Sequence, residues 1–442
     1  MSHRIAIPQS VDSFPAPFTS EFEVRQPVWN LVMGWVLMIP LFYIAANAVG
    51  QGPGTDALHK ISVALVALIC IGLIALRSSQ FFALARKSLL LLALPAVALL
   101  SFAWSADPRQ SLISAAILFI FVLFAIHVGE RFPFGRQFEL MMLLGTVTVV
   151  LSIALALAVP SIGQSAAGWR GMFGHKQNCA VAGIVFLLTA IHWQPTGAWQ
   201  RLFRGFFMAA CVALIVLSQS RTGWGLALVM LVLSLWLWLL QKMARRDAAL
   251  LVLVAIPVVI VALSALFAMA STLLVTVGKD ATLSQRTIIW AAAWDSALKH
   301  PLLGYGFSAF WKGLYGPSQS ITLIAGWGLH QAQNGFIDLM LGVGGIGLLI
   351  LLLIVAQAIW RGIQHFYSPE HGSYARWCML MIVCTLLYNI GESTIAFTSL
   401  NWFVFLLAVV GLTQLHAYEM DRHYDARLAW ARSERHFGEV YV

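Results

Sequence analysis

Apolar runs long enough to cross a bilayer recur along the whole chain. They lie at about 28–48, 59–76, 88–104, 111–128, 138–160, 178–194, 203–219, 222–241, 248–277, 334–359, 377–391 and 396–416. A spanning helix needs roughly 20 predominantly apolar residues. The pattern therefore predicts an all-α, polytopic membrane protein with about twelve transmembrane helices. Some runs are short, and 248–277 is long enough to tilt or to include an interfacial turn. None has the roughly ten-residue alternating pattern of outer-membrane barrel strands. The polar stretches divide the chain into an N-terminal segment 1–27, a membrane domain 28–416 interrupted by a long loop at 278–333, and a C-terminal tail 417–442.

Composition agrees with this division. Of 442 residues, 60% are hydrophobic and 10% are charged. A soluble domain carries about 25% charged residues. Too few charges are present to cover a water-facing surface, so a soluble enzyme with a single anchor is excluded. The net charge is +9, but the basic residues are dispersed between spans and form no nucleic-acid patch. The five cysteines lie in or beside apolar runs without CxxC spacing. They read as small core residues, neither a disulfide framework nor a metal site. Residues 1–27 lack an apolar core, so no cleaved signal peptide is expected. No internal repeat is evident, which weakens a two-halves transporter reading.

With the N-terminus in the cytoplasm, two thirds of the 27 Lys and Arg fall on the inner side. Cytoplasmic loops are rich in these residues, so both termini are expected inside. The outer exceptions matter more. Arg170 lies in GWRGMFGHKQN with His175 and Lys176, Arg221 lies in SQSRTG, and Arg286 lies in a segment rich in tryptophan. Guanidinium groups grip phosphate oxygens with a planar fork and stay charged. Converging at the outer face, they suit a diphosphate at headgroup level. The plain alternative is that each snorkels or binds lipid phosphate.

Residues 284–300 read as a short helix on the outer leaflet that presents Arg286, with Trp290, Trp294 and Ala297 on one face. Pro301 and the glycines at 304 and 306 end it. His330 precedes the span that begins near Asn334. A histidine near its unperturbed pKa is able to take a proton from a sugar hydroxyl. Outer acids are scattered, with no DxD or clustered pair, so no metal or other cofactor is expected. Asp338, one turn inside a span, must face protein. Glu392, at the outer end of a span, suits orienting a base or binding a sugar hydroxyl. For both acids structural pairing is the favoured role, with substrate contact the alternative. GVGGIG at 342–347 follows no strand, so it reads as small residues that let helices approach closely.

Together these pieces resemble the O-antigen ligase and Wzy-type polysaccharide polymerase superfamily, in particular its exopolysaccharide-polymerase-like branch. The resemblance is carried by SFAWSADPRQSL at 101–112, GWRGMFGHKQN at 168–178, SQSRTGW at 218–224 and QRTIIWAAAWDSALKHPLLGYGFSAFW at 285–311. It continues with HQAQNGFIDLMLGVGGIGLL at 330–349 and NIGESTIAFTSLNWF at 389–403. The resemblance implies a GT-C-like glycosyltransferase of the bacterial inner membrane whose active site faces the periplasm. Its substrate would be an undecaprenyl-diphosphate-linked glycan. Arg221 and Arg286 match the arginines that bind the diphosphate in that family. The family base is a histidine directly before the asparagine that here is Asn334. This chain has Gln333 there, and His330 is the nearest substitute.

The reading is thus a metal-independent transferase with Arg221, Arg286 and His330 in catalysis. Arg170, His175, Lys176, Asn334, Asp338 and Glu392 would bind substrate. A polymerase would join lipid-linked repeats, and a chain-length regulator is a candidate partner. A ligase would pass the glycan to lipid A–core. A transporter of lipid-linked sugars and a non-catalytic assembly subunit are the rivals from other classes.

Overall fold

The computed structural model describes residues 56–75, 78–132, 134–248, 250–251 and 286–439. The expected span 28–48 and nearly all of 248–277 lie outside these residues, as do 1–27 and the start of the long loop. The described chain is helical apart from one hairpin. Its helices are α1 (Asp56–Ala75), α2 (Ser78–Lys87), α3 (Leu89–Leu100), α4 (Pro108–Arg131), α5 (Phe134–Ala158) and α6 (Lys176–His192). They continue with α7 (Ala198–Leu217), α8 (Arg221–Lys242), α9 (Arg286–Ala297), α10 (Gln319–Ala325), α11 (Gly335–His365), α12 (Gly372–Tyr388) and α13 (Leu400–Glu439).

Among the described residues, six helices are long and apolar enough to cross a membrane, or seven if the α2–α3 pair, bent by 85°, counts as one span. The protein is a polytopic helical membrane protein. Ten of the twelve expected runs coincide with helices, but α6 and α12 are short. For α6 and α12 the reason is location. Seventeen residues span about 25 Å, less than a bilayer's hydrocarbon core of about 30 Å. Both are almost wholly buried and pack with α13 at the centre of the bundle, where Trp377, Trp402, Phe186 and Phe403 are sealed. Helices surrounded by protein need not match the lipid. The outer helices show the inverse of a soluble pattern. Leu228, Val232 and Leu235 on α8 and Leu349, Leu352 and Leu353 on α11 are exposed, as a lipid-facing stripe requires.

Polar groups collect at the two ends. At one, the buried Arg376 on α12 donates to His192 Nε2 (3.3 Å) and to Gln241, and Tyr374 donates to Gln137 (2.6 Å). At the other lie the loops after α3, α5, α7, α9 and α12. This second end holds the elements the helical pattern did not show. Gln164–Ser165 (β1) and Gly168–Trp169 (β2) form a small antiparallel hairpin, an exception to the all-α expectation. Helix α9 lies inside the expected 284–300. Its two tryptophans part company, however. The Trp290 indole donates to Ala332 O at 3.0 Å, whereas Trp294 is exposed.

The 342–347 glycines have a different use from the expected helix contact. At Gly344 (φ 67°, ψ −166°) α11 is broken. The loop after α9 fills the break with its backbone: Gly345 and Ile346 donate to Pro301 O (2.8 Å) and Leu302 O (3.3 Å), and Tyr305 donates to Leu341 O (2.8 Å). A peptide chain, bulkier in hydrogen bonds than in volume, is what approaches here.

That same loop is fastened to the 101–112 motif. Phe307 N–H donates to Ser101 Oγ (2.9 Å), Ser111 Oγ donates to Phe307 O (2.8 Å), Ala106 N–H donates to Tyr305 O (2.8 Å) and the Trp104 indole donates to Leu303 O (2.9 Å). Lys312 pairs with Asp107 at 2.5 Å, and Asp107 also caps α4 by accepting from Gln110 N–H. The Lys312 bond holds the Asp107 carboxyl below its usual range, with help from Gln110.

Candidate active site

The turn that ends α12 is the hub of the loop-rich end. Asn389 shapes it. Its amide donates to Thr385 O and Thr394 Oγ1 (both 2.8 Å), and its Oδ1 accepts from the N–H groups of Thr394 and Ile395. A side chain bonded in this way stands in for backbone and fixes a turn. The carbonyls so presented hold two other segments. Gly335 N–H donates to Asn389 O (2.9 Å) and Glu392 O (3.0 Å). Asn334 Nδ2 donates to Ile390 O (3.2 Å), while its Oδ1 caps α11 by accepting from Phe336 and Ile337. Arg286 Nη1 donates to Gly391 O (2.8 Å).

Arg286 Nη2 also lies 3.3 Å from Glu392 Oε1, with the two side chains 25% and 15% exposed. Burial pushes the Glu392 carboxyl above the usual glutamate range, against the opposing pull of Arg286 and of His175. His175, exposed, immediately precedes α6, so a second nitrogen-bearing side chain lies near the same carboxylate. Helix α6 is tied in by Tyr388, whose hydroxyl donates to Asn178 Oδ1 at 2.9 Å. A methyl at Gly391 would meet Arg286 Nη1 at 3.3 Å and Thr222 at 3.9 Å. The first turn of α8 therefore stands beside the hub, with Arg221 next to Thr222. Arg221 is exposed and has no hydrogen bond or ion pair among the described residues; Ser220 caps its helix through Gly223 N–H (3.1 Å).

Two cations thus occupy helix starts, and a third, Arg286, lies where the described part of α9 begins. Lys176 opens α6, and Arg221 opens α8. The N-terminal end of a helix carries about half a positive charge. A cation there is misplaced unless an anion comes to it, and helix starts with free N–H groups are anion sites in their own right.

The remaining expected residues have other partners. Lys176 Nζ donates to Ala167 O (2.9 Å) and Gln219 O (3.2 Å), joining the hairpin to the turn before Arg221. Arg170 is committed to its own loop through Ile162 O (2.7 Å) and Ser161 O (2.9 Å). Asp338 accepts from the Trp311 indole (2.7 Å), from Ala332 N–H (3.0 Å) and from Ser393 Oγ. It is a clamp on the strap before α11, and the Trp290 bond to Ala332 O is the other jaw. Gln333 sits on that strap with φ 55°. His330 is exposed, and no hydrogen bond among the described residues joins it to Arg286 or Glu392. Trp311, Asn389 and Ser393 were not singled out from the sequence, and Trp290 was read only as one face of the 284–300 helix. The only signal for them is that each lies inside a motif already noted for another residue.

The O-Antigen ligase family model matches residues 206–352, from within α7 to within α11. The match includes Arg221, Arg286, His330, Asn334 and Asp338 but stops short of Glu392. Exopolysaccharide production protein ExoQ of Rhizobium meliloti (strain 1021) is 29% identical over 99 residues, which is 21% of this chain and 22% of that protein. The aligned part spans about a fifth of that relative. These two matches support a place for the chain in the O-antigen ligase and polysaccharide polymerase family that its motifs resemble.

Proposed function

We propose that this protein transfers a glycan from an undecaprenyl-diphosphate carrier, at the periplasmic face of the bacterial inner membrane, onto a second lipid-linked repeat. The observation that carries this is the meeting of two cationic segments at the 388–393 turn: Arg286 bonds to Gly391 and Glu392, and the first turn of α8, which Arg221 opens, lies beside Gly391. In this reading both termini are cytoplasmic. Arg221 and Arg286, with Lys176 beside them, bind the diphosphate. As the bond from the anomeric carbon to the phosphate oxygen breaks, negative charge grows on the leaving diphosphate. Fixed cations and helix dipoles stabilise that charge without having to reorganise. Diphosphate is already a competent leaving group, so positioning and charge suffice without a metal. Direct attack inverts the anomeric centre, and a product of retained configuration would sink this mechanism.

The second reading is a ligase that passes the glycan to lipid A–core. The match to the O-antigen ligase family favours it, whereas the relative's name, an exopolysaccharide production protein, favours a polymer. Purified protein supplied with polyprenyl-diphosphate-linked repeat units and EDTA separates them. A ladder of longer lipid-linked products is the expected result. A single transfer that appears only when lipid A–core is added makes the protein a ligase. Silence with the native repeat unit in both formats rejects the transferase reading.

A further inference from the structure

We infer that Glu392 accepts the proton of the attacking hydroxyl, and that Arg286 holds it until a diphosphate draws the guanidinium away; this rests on the proposed transferase reading.

The argument begins with elimination on geometry. Of the acids at this end, Asp107 is tied to Lys312 and to its own helix start, and Asp338 has both oxygens filled by Trp311, Ala332 and Ser393. His330 is exposed, and no hydrogen bond among the described residues fixes its ring. Glu392 differs on each count. Its backbone is pinned by Gly335 N–H at 3.0 Å, so the carboxylate stands on a rigid turn. Its Oε1 meets Arg286, and its Oε2 has no hydrogen bond among the described residues. One oxygen is therefore bound to the diphosphate-binding cation, and the other is free to take a proton.

The groups facing this carboxylate come from three elements: Arg286 from α9, His175 from the start of α6 and Tyr388 from α12. Across Ser393 lies Asp338 of α11. In the absence of substrate, Arg286 offsets the charge that burial penalises. An arriving diphosphate offers the guanidinium a denser charge and a bidentate geometry. Glu392 then loses its counter-charge in a poorly solvated site, and its basicity rises. Binding of the donor thereby arms the base.

The step balances. The hydroxyl oxygen bonds to the anomeric carbon. The bond from that carbon to the diphosphate oxygen breaks, and its electron pair stays on the diphosphate. The hydroxyl proton moves to Glu392 Oε2 and leaves to water past exposed His175.

The test uses full-length protein in detergent. Turnover is read as release of undecaprenyl diphosphate from lipid-linked glycans extracted from a source strain lacking this chain. Binding is read with undecaprenyl diphosphate alone. Glu392→Gln is expected to lower kcat by about 10²–10⁴-fold while binding undecaprenyl diphosphate at least as tightly as wild type. Wild type should lose rate as pH falls through a limb above the ordinary glutamate value, because the base must be deprotonated to act. Glu392→Gln should lack that limb, and Glu392→Asp should keep the limb with reduced rate. A Glu392→Gln protein with wild-type kcat and an unchanged limb overturns the inference, while the diphosphate site stands if Arg286→Ala still weakens binding. If undecaprenyl diphosphate binds wild type no better than Arg286→Ala and Arg221→Ala, the underlying reading fails and the inference with it. Should Glu392→Gln not insert, Glu392→Asp decides the matter: a retained limb with reduced kcat in a protein of unchanged melting temperature supports the proposal, and a kcat identical to wild type or loss of the limb rejects it.

Discussion

At the scale of the residue, Arg221 and Arg286 carry similar chemistry in opposite structural settings. Arg221 is exposed, unpartnered among the described residues and set against its own helix dipole. Its removal costs the fold nothing and relieves a repulsion of about 0.3–1 kcal/mol. Arg286 holds Gly391 O and Glu392, and its removal leaves a largely buried carboxylate without its partner. Arg221→Ala should therefore lower kcat by about 10²–10³-fold with an unchanged or slightly raised melting temperature. Arg286→Ala should lose as much activity and also about 1–3 kcal/mol of stability. Thermal unfolding beside a turnover assay checks both, and equal melting losses in the two variants would contradict the distinction. Asp338→Asn tests a different kind of residue. It replaces an oxygen that accepts with an NH₂ that donates, facing donors it cannot satisfy. Its melting temperature should fall, and activity should fall with it. Arg221 and Arg286 stood out in the sequence because a cation on the outer side runs against the insertion bias. That Asp338 is paired in the structure was expected, but its particular partners were not legible, because two of them lie 27 and 55 positions away. Arg170 looked like a ligand for the same reason its neighbours did, and only its two backbone carbonyls show its loop-holding contacts.

At the scale of the element, hydropathy located the helices but could not show what breaks one. A run of glycines inside an apolar stretch is compatible with close helix packing and with a break. The difference lies in a backbone angle that composition does not encode. Gly344 has φ and ψ values that glycine alone adopts readily, at a cost of about 1–3 kcal/mol for other residues, and a Cβ there would collide with the Leu302 carbonyl. Gly342 sits two residues earlier with ordinary φ, and a Cβ there would lie 3.6 Å from Phe307, a normal contact. Gly344→Ala is expected to lower the melting temperature clearly, and Gly342→Ala to leave it nearly unchanged. If the glycines served helix packing alone, both substitutions would act alike. The loop that fills this break also leads from α9 to Lys312, so loosening it should reduce activity in Gly344→Ala without any change at the cations themselves.

At the scale of the whole molecule, the helices define a bundle with two polar ends and an apolar belt, and the distribution of Lys and Arg proposes which end faces the cytoplasm. The site end is poor in basic residues apart from those given chemical roles, and this is why charge counting and site reading agree on its side. Surface chemistry tests it directly. The five native cysteines among the described residues are all buried, so an introduced cysteine is read against a low background. Tyr315, on the loop at the site end, is 84% exposed. Arg422, on the extension of α13 past the opposite end, has a side chain 58% exposed. In intact spheroplasts a membrane-impermeant maleimide should label Tyr315→Cys and spare Arg422→Cys, and the second should react only after lysis. The reverse pattern would place the cations on the cytoplasmic side and would overturn the proposed periplasmic transferase, whatever the residues at the site bind.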